Sequence, residues 1–176
     1  VYEPADDTFL LMDVLKAEAP RIRALAPAVC LEIGSGSGAV TSSFFVSLQL
    51  PTPALFLCTD INPRAAATTR ATCALNRVRP FDIVRTDFVH ALAARLHGQV
   101  DVLIFNPPYV PSPPDEMGTD RIEAAWAGGE RGREVIDRLL PLVGALLSPS
   151  GAFYLLLEAA NEPAEIATRL GELGLD

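Results

Sequence analysis

The apolar positions along the chain change period repeatedly, and the changes outline an alternation of helices and strands. From residue 6, Phe9, Leu10, Met12 and Val14 fall on helical faces, and Asp6 or Asp7 can cap the start. Residues 28–33, AVCLEI, form a short apolar run with one carboxylate, the pattern of a buried strand. Glycines follow, and AVTSSFFVSLQL returns to a helical pattern. Residues 54–60, ALFLCTD, make a second strand. Asn62 then caps a helix with Pro63 at its first position and a stripe of Ala67, Ala71, Ala74 and Leu75. FDIVRTD (81–87) and VDVLIFN (100–106) read as the third and fourth strands. After a long loop, Val135, Ile136, Leu139, Leu140, Val143, Leu146 and Leu147 mark a long helix with a candidate kink at Pro141. GAFYLLL (151–157) is a fifth strand, and residues 161–173 a last helix.

Apolar strands alternating with helices predict an α/β fold of Rossmann-like type: a mostly parallel central sheet with helices on both faces. One domain over residues 1–176 is expected. Ligands of such sheets bind beyond the carboxyl ends of the strands, where the strand order reverses. With the order 3-2-1-4-5, the third strand would be one edge.

The strand ends are therefore the places to look for chemistry. After the first comes EIGSGSGAV, where Gly34, Gly36 and Gly38 allow close backbone approach and feed a helix N-terminus. Alone this is ambiguous, because Gly34, Gly36 and Ala39 also satisfy a dinucleotide fingerprint. After the second strand stands Asp60, placed to accept from ribose hydroxyls; after the third, Asp87 and Phe88; after the fourth, Asn106-Pro107-Pro108-Tyr109. Two successive prolines remove two N–H donors and hold both φ angles, so the stretch offers mainly acceptors. Singly, each feature has a structural reading: a tight turn, a helix cap, a rigid corner. Jointly they outline a nucleoside site.

Composition narrows the classes. The chain has 176 residues, 49% hydrophobic and 20% charged, with a net charge of −8. Thirteen arginines and Lys16 are scattered without a run, which argues against unaided binding to a nucleic-acid backbone. The uncharged stretch 33–59 is interrupted by glycines and prolines and is not read as a membrane helix, nor are the opening residues read as a signal peptide. Cys30, Cys58 and Cys73 form no C-x-x-C pair, His90 and His97 have no spaced partners, and no metal site is expected.

These motifs resemble the class I S-adenosylmethionine-dependent methyltransferases that methylate amino groups. More narrowly, VYEPADDTFLL, LEIGSGSGAV, CTDINP, FNPPYVPSPP and IEAAWAGGERGREVIDRLLPL are similar to the HemK2 branch, protein-glutamine methyltransferases acting on the class I translation release factor. The resemblance covers essentially the whole chain. NPPY is shared with DNA adenine methyltransferases and so specifies chemistry rather than substrate.

The resemblance implies S-adenosylmethionine as cofactor and a role for each residue. Thr8 would close over the cofactor, Glu32, Gly34 and Gly36 would line its methionine and sugar, and Asp60 would hold the ribose. Asp87 would receive the adenine amino group, with Phe88 against the ring. Asn106 and the Pro107 carbonyl would bind the acceptor nitrogen, and Tyr109 would pack on the substrate amide. The loop 110–129 would build the substrate wall, with Trp126 either in the pocket or anchoring the loop. The family continues into two more strands after GELGLD, so the C-terminal strand pair is expected to be missing from this chain. The resemblance also implies a heterodimer with a small zinc-binding activator, for which the edge strand 81–84 offers Phe81, Ile83 and Val84. A cytoplasmic location is expected, with the nucleus as an additional one. A histone lysine is the next substrate considered, then a nucleic-acid adenine. A catalytically silent binding subunit is disfavoured by the intact motifs. A dehydrogenase is disfavoured because no substrate domain or hydride-transfer residues are evident.

Overall fold

The computed structural model describes residues 1–113 and 125–175. The chain forms two compact units, Val1–Asn106 with Leu146–Tyr154, and Pro107–Ala145 with Leu155–Asp176.

The first unit carries a five-stranded sheet in the order β3-β2-β1-β4-β5, where β1 is Val29–Ile33, β2 Leu55–Asp60, β3 Phe81–Arg85, β4 Val100–Phe105 and β5 Leu147–Leu155. β1 pairs in parallel with β2 and β4, and β2 in parallel with β3. The register sets Ile33 beside both Thr59 and Phe105, and Asp60 beside Arg85. The carboxyl ends are therefore level, and the segments after β1, β2, β3 and β4 leave from one side of the sheet. The central strands are covered on both faces, which is why they read as continuous apolar runs: Leu31, Cys58, Val102 and Leu103 are fully buried.

The helices of this unit differ in detail from the pattern expected. α1 (Asp6–Ala24) buries Leu11, Leu15, Ala19 and Ile22, a stripe at helical spacing, while Phe9, Leu10 and Val14 are exposed. Neither aspartate is its cap. Ala5 holds that position, and Asp6 and Asp7 lie in the first turn, where a carboxylate suits the helix dipole. α2 is Ala39–Leu48. α3 (Pro63–Leu75) is capped as expected, with the Asn62 side chain accepting from the Arg64 N–H at 2.9 Å. Its buried stripe is Ala65, Thr69 and Cys73; Leu75 is exposed. One further turn, α4 (Ala93–Leu96), has no counterpart in the sequence pattern. Cys30, Cys58 and Cys73 are buried free thiols, and burial pushes all three up, Cys30 to about 12.

In the second unit, α5 (Glu134–Leu146) contains Pro141, and its Ile136, Leu139, Leu140 and Val143 are buried. α6 (Pro163–Glu172) starts on a proline and buries Ile166. Among the described residues, no helix is long and apolar enough to cross a membrane, and no group of ligating side chains could hold a metal.

Candidate functional site

The loop after β1 is shaped from two directions. Gly34 and Ser35 both donate their N–H to the Thr59 carbonyl of β2, at 2.8 and 3.2 Å. From α3, Thr69 donates its hydroxyl to the Gly36 carbonyl (3.1 Å) and Thr72 to the Ser37 carbonyl (2.7 Å). Since the Thr69 proton is spent there, Ser35 Oγ is the donor in its 2.9 Å bond to Thr69. Gly38, at φ +76, opens α2, and a Cβ there would meet the Thr69 backbone at 2.9 Å. Only glycine fits, so the helix start and the loop are one rigid unit.

Asp60 closes the loop from the end of β2. One carboxylate oxygen accepts from the Gly36 N–H (2.9 Å), the other from the Asn62 N–H (2.8 Å). Burial raises its pKa, and these backbone donors oppose the rise. With backbone donors from Gly36, Asn62 and Ile61, the carboxylate retains a lone pair for a hydroxyl donor. Ile61 follows Asp60 within CTDINP, an exposed apolar residue at the same strand end.

Glu32 is tied to the start of α2. It is 4% exposed, and one carboxylate oxygen accepts from both the N–H (3.0 Å) and the hydroxyl of Thr41 in the first turn of α2. Burial pushes its carboxyl up to about 7. An unfolded glutamate titrates near 4.5. As pH rises from there to about 7, the unfolded chain loses this proton while the folded chain keeps it, so stability falls over that window. The loss is on the order of 3 kcal/mol at 1.36 kcal/mol per pH unit. Glu32→Gln, whose amide oxygen can accept both Thr41 bonds, is expected to gain stability over the wild type as pH rises from about 4.5 to about 7.5. Urea unfolding at several pH values measures this; parallel profiles for the two proteins would refute it.

Asp87 and Phe88 follow β3 at a sharp bend: Phe88 has φ +44, its ring is buried, and it packs edge-on against Phe105 at 6.2 Å and against His90 at 6.3 Å. Asp87 Oδ2 lies 4.0 Å from His90 Nδ1. At the end of β4, Asn106 donates its amide Nδ2–H to Asp7 Oδ2 of α1 at 3.0 Å. Its carbonyl oxygen is buried and has no partner among the described residues. Thr8 is buried in the same turn, its hydroxyl receiving the Ala5 N–H and donating to Asp7 Oδ1, both at 3.3 Å. Thr8 and Asn106 thus meet through Asp7, whose position in the sequence suggests only a helix cap.

In the second unit, Pro107 is buried, and the residues after the proline pair run beside a returning segment. Val110 donates its N–H to the Trp126 carbonyl (2.9 Å), and Gly128 donates back to Val110 (2.8 Å). Trp126 therefore anchors the loop through its backbone. Fully buried Asn161 donates to the carbonyls of Tyr109 (2.8 Å) and Arg131 (2.9 Å). Gly132, at φ +68, packs on Tyr109 so closely that a Cβ would lie 1.8 Å from its carbonyl oxygen. Buried Arg133 pairs with Asp137 (3.0 Å) and Glu165 (2.8 Å). The block WAGGERGR is thus a bracket for the backbone at the end of NPPY. Residues 114–124 of the expected substrate wall lie outside the described residues.

The family model for the methyltransferase small domain matches residues 6–123. Mouse methyltransferase HEMK2 is 53% identical over 175 residues, 99% of this chain and 79% of its own length. The chain belongs to the HEMK2 methyltransferase family. The catalytic subunit of the eRF1 methyltransferase of fission yeast, a further relative of the HEMK2 family chain, is 37% identical over 173 residues, covering 92% of this chain and 74% of the relative. Among solved structures, a ribosomal protein L11 methylase from Lactobacillus delbrueckii superposes with a TM-score of 0.60 at 17% identity, over 92% of this chain and 68% of that one. That likeness bears on the fold alone. The HEMK2 family chain is therefore an S-adenosylmethionine-dependent methyltransferase with a Rossmann-like parallel sheet.

Proposed function

We propose that this chain methylates the side-chain amide nitrogen of a glutamine in a protein, with the class I translation release factor as substrate. The observation that carries the reading is the buried carbonyl oxygen of Asn106 at the end of β4, which has no partner among the described residues. A buried acceptor without a partner costs about 1–3 kcal/mol, a cost removed by a ligand that donates to it. The acceptor nitrogen of a primary amide carries two hydrogens; Asn106 Oδ1 takes one, and the adjacent Pro107 carbonyl is assigned the other. The nitrogen is thereby oriented with its electron density facing the methyl donor. Such fixed dipoles do not reorganise during the reaction. No strong base is required before transfer, since the methylated nitrogen is acidic and releases its proton to water. The fission-yeast relative, named for its action on eRF1, supports the choice of substrate.

The residues present fit the cofactor. Its ribose diol and adenine amino group are donors, and the strand ends offer the carboxylate of Asp60 beside a rigid glycine loop and that of Asp87 after β3. When bound, S-adenosylmethionine supplies an electrophilic sulfonium methyl group. Glu32 contributes indirectly, by fixing the start of α2 through Thr41. The test is a methylation assay with labelled cofactor, offering a release-factor domain, a basic histone-tail peptide and a DNA duplex side by side. Label on a release-factor glutamine is expected. Label confined to the histone lysine or the DNA adenine would overturn the reading.

A small zinc-binding activator subunit is proposed as partner, consistent with the fission-yeast relative being named a catalytic subunit. The edge strand β3 is less open than its apolar sequence suggests. Ile83 is buried in the core, its N–H donates to Asp82 Oδ1 (2.8 Å) and its carbonyl accepts from Arg70 Nη2 (3.2 Å). A strand added there must displace Arg70, and a charge at Ile83 would test folding rather than association. Half-buried Val84 is the better probe. Val84→Lys is expected to abolish co-purification with the activator while leaving the melting temperature of the lone chain within a few degrees. A lone chain that is monodisperse and fully active would rule out the requirement.

A further inference from the structure

Asp7 has no part in the chemistry described so far, yet both of its carboxylate oxygens are engaged at the site. Oδ1 receives the Thr8 hydroxyl, and Oδ2 receives the amide of Asn106, 99 residues away in sequence. A carboxylate only accepts hydrogen bonds, so it permits one orientation of the asparagine amide: NH₂ toward Asp7, carbonyl oxygen away. The oxygen so directed is the buried one without a partner among the described residues.

We infer that Asp7 is a positioning residue, which locks the Asn106 amide with its oxygen presented to the N–H of the acceptor nitrogen. The inference rests on the methyl-transfer reading above. The two ends of an asparagine amide are nearly equal in size, and rotation about the last side-chain bond exchanges them at little steric cost. Turned the wrong way, Asn106 would confront an N–H donor with its own N–H. Donation to an anion also strengthens Nδ2–H···O and shifts electron density toward Oδ1. This makes Oδ1 a better acceptor as positive charge grows on the nitrogen.

A purely structural role at the helix start does not account for the geometry. Ala5 is the cap, Thr8 receives its N–H, and Asp6 supplies a carboxylate to the same first turn. Thr8 in turn steadies Asp7. The ordered path runs from the Ala5 N–H to the Thr8 hydroxyl, to the Asp7 carboxylate and on to the Asn106 amide.

The test compares Asp7→Ala, Asp7→Asn and Asp6→Ala with the wild type, all prepared identically. It measures kcat and KM on the methylated protein substrate, the Kd for S-adenosylmethionine by calorimetry, and the ¹⁵N side-chain amide resonances of Asn106, assigned by their loss in Asn106→Ala. Asp7→Ala is expected to lower kcat roughly 100-fold, the scale of a misplaced reacting group, with KM and cofactor Kd within about threefold. Asp7→Asn, whose amide oxygen still accepts from Nδ2, is expected to recover to within about tenfold of the wild type. Its Asn106 amide protons should stay close to the wild-type shift, and those of Asp7→Ala should move to that of a water-bonded amide. Asp6→Ala should match the wild type throughout. An Asp7→Ala protein with wild-type kcat or unchanged Asn106 amide shifts would overturn the inference, as would an equal loss in Asp6→Ala. Should the wild type methylate none of the acceptors offered, the functional reading fails, and the amide shifts still decide the clamp on their own.

Discussion

Asn106→Ala is expected to reduce methyl transfer about 10²–10³-fold or more, the range found when one preorganised hydrogen-bonding group is removed from a reacting centre. Cofactor affinity should change by less than about 1 kcal/mol, a few-fold in Kd. The reason is positional. Asn106 follows the last residue of β4, its amide nitrogen is committed to Asp7, and its oxygen has no partner among the described residues. The substitution removes that acceptor and leaves Asp60, the glycine loop and the threonines of α3 in place. Single-turnover rates with calorimetric Kd values separate the two effects. A near wild-type rate would eliminate the acceptor-pair mechanism. Loss of cofactor binding in parallel with rate would move Asn106 from the acceptor side to the cofactor side.

Gly132→Ala is expected to cost at least about 3 kcal/mol, placing it among the few substitutions that exceed the usual range. Two penalties coincide. The residue has φ +68, strained for any residue with a Cβ, and that Cβ would sit 1.8 Å from the Tyr109 carbonyl oxygen and 2.6 Å from Asn161 Nδ2. Relief requires the backbone at Tyr109 to move away from the bracket. Activity should therefore fall even in the folded fraction. Gly171→Ala in α6 is the matched control: nothing lies within 4 Å of the place its methyl group would take, and alanine gains up to about 1 kcal/mol over glycine inside a helix. Thermal unfolding of the pair measures the contrast. Similar melting temperatures for both variants would show that the bracket yields without cost.

The parts of the fold that sequence pattern exposes are those whose environment is simple. β1, β2 and β4 lie inside the sheet with both faces covered, so their apolar runs are unambiguous. α1 is legible as a helix, but its buried face is not. Residues 9–12 are all apolar, and several stripes are equally plausible until packing chooses the one through Leu11 and Leu15. β5 starts at Leu147, straight after α5, where Ser148, Pro149 and Ser150 give no strand signal; the proline is tolerated in an edge strand. α4 is a single turn, too short for any period to register.

The site divides in the same way. Asp60 and Asn106 stand out because each is a polar residue at the end of an apolar strand. Thr69, Thr72 and Asn161 do not, because their partners lie 33, 35 and 52 residues away and only folding brings them together. A threonine pair three residues apart on an alanine-rich helix is the available hint. Glu32 is conspicuous for its position in the glycine motif, and its observed partner is Thr41.

The three buried thiols have a chemical consequence. All lie in the first unit, on β1, β2 and α3, and burial holds each in the thiol form. Alkylating and oxidising reagents attack the thiolate, so these cysteines are inert while the sheet is closed. Reaction of Cys30 and Cys58 with a small alkylating agent is gated by exposure of β1 and β2 themselves, and that of Cys73 by release of α3. The chain therefore carries a clock for opening of its sheet, to which fraying confined to the NPPY bracket is invisible.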